Sequence, residues 1–270
     1  MSDKDTQINA SSPFLFVVGC PRSGTTLLQR MLDNHPQLTV ANDTHFITRA
    51  VKKVLRKDPQ PLLTNEIVEA VLAYRRFYRM GLDEKDVMDA ADGCRTYAEY
   101  VGKLYALRGK KQQKTFSGEK TPDYCRKLPQ LHSLFPAARF IHIIRDGRNT
   151  ALSTLDWATE TKGPGKWGLW RDDPVGTCAL WWRWQAGMGQ LDGRALGSNF
   201  FHQVKYEDLV AHPEKELRVI ATFLGLSYSD AMANYYAGKT RHQAGLSAKK
   251  AWLPPVRNLR DWRQNMSQED

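Results

Sequence analysis

A short apolar segment, a glycine-rich loop and an amphipathic helix follow one another near the start of the chain, and this order constrains the fold more than any other feature. Residues 14–18 read FLFVV, which is apolar on both faces of a strand, as is typical of a central strand in a parallel sheet. The loop GCPRSG follows, and residues 25–35 (TTLLQRMLDNH) place apolar side chains at positions 27, 28, 31 and 32, on one helical face. The sequence therefore predicts a buried strand, a tight loop and a helix.

Two later segments repeat the pattern of a buried strand followed by a helix. Residues 138–146 (ARFIHIIRD) precede a helical stretch from 147, and residues 199–209 (NFFHQVKYEDL) precede a helix over 214–226. Further helical segments are predicted at about 44–56, 64–80, 95–109 and 175–191. Strands separated by helices favour a parallel sheet covered on both faces. We expect one three-layer α/β/α domain over residues 1–270, with a helical insertion at about 50–110.

The composition is that of an ordinary globular protein. Of the 270 residues, 41% are hydrophobic and 25% are charged, which argues against a disordered, collagen-like or coiled-coil chain. No segment approaches the roughly 18 apolar residues that span a membrane, and the N-terminal leader lacks the cationic cluster of a signal peptide. We therefore expect a cytoplasmic protein. The four cysteines are far apart, so neither a zinc site nor a disulfide framework is expected.

The glycine loop has the context of an anion-binding site. Backbone N–H groups of a loop between a strand and a helix can surround a phosphate at the helix N-terminus. The glycines are spaced as in the nucleoside-triphosphate loop G-x-x-x-x-G-K-S/T, and Thr26 occupies the hydroxyl position, but Thr25 replaces the lysine. Hydrolysis of ATP or GTP is therefore disfavoured. Arg22 is the only cation in the loop, and a tight turn without a ligand is the alternative interpretation.

The segment PRSGTTLLQRMLDNHP resembles the 5′-phosphosulfate loop of sulfotransferases that use 3′-phosphoadenosine 5′-phosphosulfate (PAPS). The resemblance is to the branch with protein-tyrosine sulfotransferases and many bacterial enzymes, and it continues in order through ANDTHF, GEKTP, RFIHIIRDGRNTALS, VKYEDLVAHPEKEL, IATFLGL and, loosely, LRDWRQNMSQ. It implies a P-loop NTPase-like fold. It also implies that a sulfuryl group moves from PAPS to an acceptor hydroxyl or amine by in-line displacement.

The resemblance also implies which residues bind the 5′ side of PAPS and stabilise the leaving group. Arg22 matches the cation of the family that neutralises the leaving group, and Lys120 matches a lysine near the transferred group. A solvated side chain is the alternative for Lys120. The loop residues that would hold the 5′-phosphate are Ser23, Gly24, Thr25 and Thr26.

The 3′ side of PAPS is assigned in the same way. An arginine that ends the central strand and a serine eight positions later hold the 3′-phosphate in the family, and Arg145 and Ser153 match them. Arg148 is a third candidate cation, with a surface ion pair as the alternative. Tyr206 resembles the tyrosine that contacts the adenosine, with simple aromatic packing as the alternative. An Arg/Gly-rich loop near the C-terminus is only approximated, by Lys239, Arg241 and Lys249.

The general base is less clearly specified. The histidine of the K-T-H motif in cytosolic sulfotransferases is replaced by Pro122. Asp43 aligns with the catalytic glutamate of the protein-tyrosine and bacterial branch but is one methylene shorter, and His45 is the rival base. Asp43 has two further interpretations: it caps a helix that starts near Thr44, or it binds the acceptor.

Five tryptophans lie between positions 167 and 184. The spacing of Trp181 and Trp184 predicts a buried helix face, whereas Trp167 and Trp170 fall in a Gly- and Pro-rich loop at 160–174 that could line an acceptor pocket or form a lid.

Two other functions remain as alternatives. A P-loop small-molecule kinase would use Asp146 as a magnesium ligand. A polyanion-binding protein would use the net charge of +10, although the cations are scattered apart from LRGKKQQK at 107–114. For a sulfotransferase we expect no metal and no nucleic-acid partner. The acceptor is left open between a small molecule, a glycan and a peptide, and the sequence does not specify an oligomeric state.

Overall fold

Five parallel strands form the central sheet in a computed structural model that describes residues 15–237, 253–255 and 261–267. The strand order is β2-β3-β1-β4-β5. The strands are β1 Leu15–Val18, β2 Leu38–Asn42, β3 Phe116–Lys120, β4 Arg139–Ile144 and β5 Phe201–Lys205. In the register of the sheet, Phe16 of β1 lies opposite Glu119 on one side and Phe140 on the other.

Helices connect the strands and cover both faces of the sheet. The α-helices are α1 Thr25–Asp33, α2 Phe46–Arg49, α3 Lys52–Lys57, α4 Asn65–Leu72, α5 Glu84–Ala91, α6 Tyr97–Lys111, α7 Leu128–Leu134, α8 Gly147–Leu155, α9 Pro174–Leu196, α10 Tyr206–Ala211, α11 Pro213–Leu224, α12 Asp230–Ala233 and α13 Trp262–Asn265. Short 3-10 helices span Phe77–Met80, Pro122–Arg126, Gly163–Lys166, Gly168–Arg171 and Tyr235–Ala237. Within the described residues, no helix is both long enough and apolar enough to cross a membrane.

Side chains of β1 alternate between two apolar clusters, one on each face of the sheet. Leu15 and Val17 belong to the cluster that contains α1 and α11, whereas Phe16 and Val18 belong to the cluster that contains α6 and α7. The Phe16 ring stacks on Phe140 of β4, with 5.3 Å between the ring centroids. This alternation is what a strand buried on both faces requires. The predicted three-layer α/β/α fold is confirmed.

Helices α2 to α6 lie between β2 and β3, where the sequence predicts a helical insertion. Asp83 and Thr96 each cap a helix, α5 and α6 respectively, through a reciprocal capping box. The hydroxyl of Tyr97 donates to the carbonyl of Ile47 at 3.0 Å, so α6 is tied to α2. The extent of the domain stays a prediction, as does the cytoplasmic location.

Several element predictions were wrong in detail. Strand β2 was not predicted, because LTVAN is short, and β3 was indicated only by the β-like stretch TFSG, because FSGEK is mostly polar. Gly118 lets β3 approach β1 closely, since a Cβ at that position would lie 2.7 Å from Leu15 Cγ. The helix predicted at 64–80 is α4 followed by a 3-10 helix, and α5 was missed. The predicted 44–56 helix is divided into α2 and α3 at Val51.

The carboxyl ends of the five strands meet at one edge of the sheet. The glycine loop follows β1, and the neighbours of β1 in the sheet, β3 and β4, lie on its opposite sides. In open parallel sheets this reversal of strand order creates a crevice that binds ligands. Asp43, Lys120, Arg145 and Tyr206 each lie at or directly after the end of a strand. The fold therefore gathers the predicted site residues at this edge.

Candidate active site

The glycine loop between β1 and α1 is shaped by two close approaches. Gly24 has φ 94°, and a Cβ there would lie 2.3 Å from Cδ2 of Tyr206. A Cβ on Gly19 would lie 2.4 Å from the carbonyl oxygen of Ile143. The N–H of Ser23 donates to the carbonyl of Cys20 at 3.1 Å, and α1 begins at Thr25. The loop is therefore a tight cradle at the N-terminus of a helix, as an anion site requires.

Arg22 binds directly to Ser153. Its Nε donates to the Ser153 hydroxyl at 3.1 Å and to the Ser153 carbonyl at 3.2 Å. The Nη1 of Arg145, a residue only 6% exposed, donates to the carbonyl of Arg22 at 3.5 Å. The structure thus brings Arg22, Arg145 and Ser153 together, although the first was predicted for the 5′ side of the donor and the other two for the 3′ side.

Tyr206 directly follows β5 and contacts both Arg145 and the glycine loop. The guanidinium of Arg145 lies 4.5 Å from the centroid of the Tyr206 ring, a cation–π distance, and the ring packs against Gly24. Burial raises the pKa of the Tyr206 hydroxyl. The aromatic packing that was the alternative for this residue is present, and contact with an adenosine stays a prediction.

Asp43 and His45 follow β2 in an unusual backbone conformation. Asp43 has φ 60° and His45 has φ 61°, which costs about 1–3 kcal/mol for each non-glycine residue. The N–H of Asp43 donates to the carbonyl of Lys120 at 2.5 Å. His45 Nε2 lies 2.9 Å from Asp43 Oδ1, while His45 Nδ1 is buried with no hydrogen-bond partner among the described residues. The two rival bases are therefore bonded to each other.

Two arginines that were not predicted as site residues hold the other carboxylate oxygen of Asp43. Nη1 of Arg76 lies 2.7 Å from Asp43 Oδ2, and Nη1 of Arg79 lies 3.1 Å from it. Burial acts to raise the Asp43 pKa, but the His45 hydrogen bond and the nearby cations outweigh it and hold the pKa of this carboxyl well below its usual range. The basic segment RRFYRM was the available signal, but its link to Asp43 depends on the fold of the insertion.

The interpretation of Asp43 as a helix cap was wrong. Helix α2 begins at Phe46, two residues later than expected, and its N-cap residue is His45 without a side-chain capping bond. The Asp43 carboxylate binds His45, Arg76 and Arg79 instead. The general-base and acceptor-binding interpretations of Asp43 stay predictions.

Lys120 is the last residue of β3. This strand lies in the sheet between β1, which the glycine loop follows, and β2, which Asp43 and His45 follow. It is 3% exposed, and burial lowers the pKa of its ammonium, although the charges of Asp43 and Glu119 act in the opposite direction. A solvated side chain, the alternative for this lysine, is ruled out by this burial. The catalytic role of Lys120 stays a prediction.

Arg148 and Asp146 form an ion pair with each other. Nη2 of Arg148 lies 2.7 Å from Asp146 Oδ2, and the Arg148 side chain is 54% exposed. Asp146 also caps α8 by accepting the N–H of Arg148. The surface pair, which was the alternative for Arg148, is what the structure shows. The Asp146 carboxylate that a kinase would offer to magnesium is occupied by this pair.

The tryptophan prediction was half correct. Trp181 is 5% exposed, but Trp184 is 43% exposed and does not belong to the buried face of α9. Trp184 instead contacts the Trp167 ring at 5.8 Å and the Arg126 guanidinium at 4.4 Å. The loop at 160–174 is thus joined to α9 by an aromatic pair. Lys239, Arg241 and Lys249 lie outside the described residues.

Comparison with known proteins identifies the class to which this fold and anion cradle belong. The family model described as "Sulfotransferase family" matches residues 13–230. Since this is most of the chain, the protein belongs to the sulfotransferase family. The match favours sulfuryl transfer over the kinase alternative.

Named relatives agree with the family match. The chain is 27% identical over 234 residues to a protein-tyrosine sulfotransferase of Drosophila melanogaster, covering 84% of this chain and 41% of the relative. It is 28% identical over 229 residues to protein-tyrosine sulfotransferase 2 of Gallus gallus, covering 83% and 54%. The chain thus spans about half the length of these curated relatives.

Solved structures show the same fold. The sulfotransferase domain of the Synechococcus PCC 7002 olefin synthase has a TM-score of 0.64 at 24% identity, covering 94% of this chain and 88% of that one. A sulfotransferase domain from the curacin biosynthetic pathway has a TM-score of 0.61 at 19% identity, covering 90% and 83%. The P-loop NTPase-like fold class predicted from the sequence is confirmed.

Proposed function

We propose that the protein is a sulfotransferase that moves a sulfuryl group from PAPS to an acceptor hydroxyl. The observation that carries the proposal is the contact of Arg22, Arg145 and Ser153 around a glycine loop that lacks the lysine of nucleoside-triphosphate loops. A donor with phosphates at both its 5′ and 3′ positions needs more than one cation, and Arg22 and Arg145 supply two beside the loop.

The residues of the cradle fit such a donor. The loop N–H groups and the hydroxyls of Thr25 and Thr26 would hold the 5′-phosphate, and Arg145 with Ser153 would hold the 3′-phosphate. Because Gly19 and Gly24 have no side chain, the loop packs directly against Ile143 and Tyr206 and keeps the shape of the cradle. When bound, PAPS supplies the sulfuryl group and the bisphosphate leaving group.

The transfer itself needs a cation at the leaving oxygen and a base at the acceptor. The acceptor oxygen bonds to sulfur as the bond from sulfur to the bridging phosphate oxygen breaks, and the acceptor proton passes to a base. Arg22 neutralises the leaving phosphate as a fixed planar cation, and Lys120 stabilises charge on the transferred group. The bonded pair of Asp43 and His45 takes the proton, and Asp43 is its more exposed member.

We propose a tyrosine in a peptide as the acceptor, ahead of a small molecule or a glycan. The named relatives support this, and so does the charge beside the base. Helix α2 begins directly after His45, and a basic surface follows it. The α2–α3 basic surface consists of five exposed cations, Arg49, Lys52, Lys53, Arg56 and Lys57. It would attract acidic residues that flank an acceptor.

Other cations adjoin this surface. Burial and the nearby charges of Arg126, Lys52 and other α2–α3 cations lower the pKa of Lys127. Such mutual repulsion is relieved when an anionic partner binds.

Calorimetric titration with adenosine 3′,5′-bisphosphate, ADP and ATP tests the donor site. Wild type is expected to prefer the bisphosphate, and Arg145→Ala is expected to lose at least about tenfold in affinity, since it removes charged hydrogen bonds. Arg218→Ala, which removes a surface arginine paired with Glu214, is the matched control. Transfer of labelled sulfate to an acidic tyrosine peptide then tests the acceptor. Preference for ATP would contradict the proposal.

A further inference from the structure

A fully buried glutamate, Glu119, contacts the segment that carries Asp43 and His45. It lies in GEKTP, directly before Lys120, and its exposed fraction is 0%. Adjacent residues of a strand point to opposite faces of the sheet, so the side chains of Glu119 and Lys120 contact different neighbours. The proposed reaction assigns Glu119 no role.

The carboxylate of Glu119 binds the backbone of residues 43–45, the base segment, which carries the two candidate bases. Its Oε1 accepts the N–H of Thr44 at 3.0 Å. The same oxygen accepts the hydroxyl of Thr121, and that hydroxyl oxygen accepts the N–H of His45 at 3.4 Å. Two consecutive amides, those of Thr44 and His45, are therefore held directly or through one hydroxyl. The other oxygen, Oε2, accepts the hydroxyl of Tyr105 in α6 at 2.7 Å.

These bonds are placed where the backbone most needs them. Thr44 lies between Asp43 and His45, both of which have positive φ. A buried N–H without an acceptor is costly, so the segment keeps this conformation only while its amides are paired. Thr44 is 0% exposed and His45 5% exposed, so bulk water does not reach these amides to replace the acceptor.

A carboxylate is an expensive choice for a purely structural role. Burial raises the pKa of Glu119, while its three donors act in the opposite direction. Apolar residues of similar volume often serve stability as well as buried charges do. An acceptor here does what an apolar side chain cannot, because it aligns two neighbouring N–H groups.

We propose that Glu119 is a positioning residue that fixes the Asp43 carboxylate and the His45 imidazole relative to Lys120. The inference rests on the proposed sulfuryl transfer. Two adjacent residues of β3 then position the groups that act on the acceptor. Lys120 lies at the transferred group, and Glu119 holds the base segment in place.

Three variants separate positioning from folding. Glu119→Met keeps the length of the side chain but removes both acceptors, whereas Glu119→Gln keeps an oxygen for Thr44 and Thr121. Tyr105→Phe removes only the bond to α6 and is the matched control. Each is measured for bisphosphate affinity, for kcat and KM with a tyrosine peptide, and for hydrogen exchange of the peptide that covers residues 42–48.

We expect Glu119→Met to exchange faster over residues 42–48 and to lose about 100-fold in kcat, the order of effect that a misplacement of about 1 Å produces. Bisphosphate affinity should stay within about twofold, because the donor cradle shares none of these bonds. Glu119→Gln should recover protection and most of kcat, and Tyr105→Phe should keep both. An unchanged kcat or unchanged exchange in Glu119→Met would overturn the proposal, as would equal loss in Glu119→Gln.

Two further arms keep the result decisive. If Glu119→Met does not fold, Thr121→Val removes the hydroxyl that reaches His45 and should reproduce the loss of kcat at unchanged bisphosphate affinity; normal kcat there would count against the proposal. If wild type transfers no sulfuryl group, the proposed function fails, while hydrogen exchange still decides whether Glu119 orders the segment.

Discussion

The Nε of Arg22 lies 3.1 Å from the hydroxyl oxygen of Ser153, and this hydrogen bond joins the loop after β1 to α8. Arg22 also donates to the Ser153 carbonyl at 3.2 Å, and its own backbone has φ 76°. A cation fixed before the ligand arrives loses little further conformational freedom on binding, which is the advantage of a preorganised site.

Ser153→Ala tests this relationship. The variant removes a hydrogen bond to a charged group, worth about 1.5–3 kcal/mol, so the affinity for adenosine 3′,5′-bisphosphate should fall by about 10- to 100-fold in calorimetric titration. Thr154→Ala is the control, because its hydroxyl donates only to the carbonyl of Thr150 within α8. Equal affinities of Ser153→Ala and wild type would show that the bond has no part in donor binding.

Gly24→Ala tests the shape of the loop. The new methyl group would meet the Tyr206 ring at 2.3 Å, on top of the cost of φ 94°. We expect a lower midpoint of thermal unfolding and loss of bisphosphate binding. Gly225→Ala is the matched control. Gly225 has φ 70° in the same left-handed region as Gly24, but its new methyl group would meet no atom of the described residues within 4 Å, so this variant measures the backbone cost alone.

The contact with Tyr206 is separable from backbone strain. Gly24→Ala should lower the midpoint of thermal unfolding less in a Tyr206→Ala background than in wild type, since the clashing ring is gone. An equal loss in the two backgrounds would place the cost entirely in the backbone.

Much of the donor side was predictable from the sequence. The glycine loop and the residues after β4 and β5 each directly follow an apolar strand that the sequence reveals. The carboxyl ends of parallel strands lie at the same edge of the sheet. Arg22, Arg145 and Tyr206 therefore meet as their positions in the sequence indicate. Ser153 follows because it lies about two turns into α8, which begins at Gly147 and brings it back over the same edge.

The acceptor side was less predictable, for a physical reason. Arg76 and Arg79 reach Asp43 from the insertion, whose path depends on packing that no local pattern reveals. Glu119 belongs to a polar strand that does not resemble a buried one. Its burial is possible because three donors satisfy the carboxylate.

The ion pairs of Asp43 should make stability depend on pH at low pH. A carboxyl whose pKa is lowered in the folded state stabilises the fold above its unfolded pKa, and this stability is lost as the pH falls through the folded value. Asp43→Asn should therefore unfold at a lower temperature than wild type at pH 7. The gap should persist down to about pH 4, the ordinary pKa of aspartic acid, and shrink below it.

The control for this measurement is a surface carboxylate. Asp89→Asn removes an exposed pair with Lys85, and such pairs contribute little, so its unfolding curve should follow wild type at every pH. A gap for Asp43→Asn that already closes between pH 7 and pH 5 would contradict the lowered pKa.

The choice between Asp43 and His45 as the base can be made with three variants. The Asp43 side chain is 26% exposed and that of His45 is 6% exposed, so an acceptor reaches the carboxylate more readily. We expect Asp43→Asn to lose about 10²–10⁴-fold in kcat, the usual contribution of a general base. His45→Gln retains an N–H that can donate to Asp43 and should lose far less, and Asp43→Glu should keep measurable activity because it retains the carboxylate.

Bisphosphate titration of each variant checks that the donor site is intact. A larger loss in His45→Gln than in Asp43→Asn would identify the imidazole, through its buried Nδ1, as the group that takes the proton.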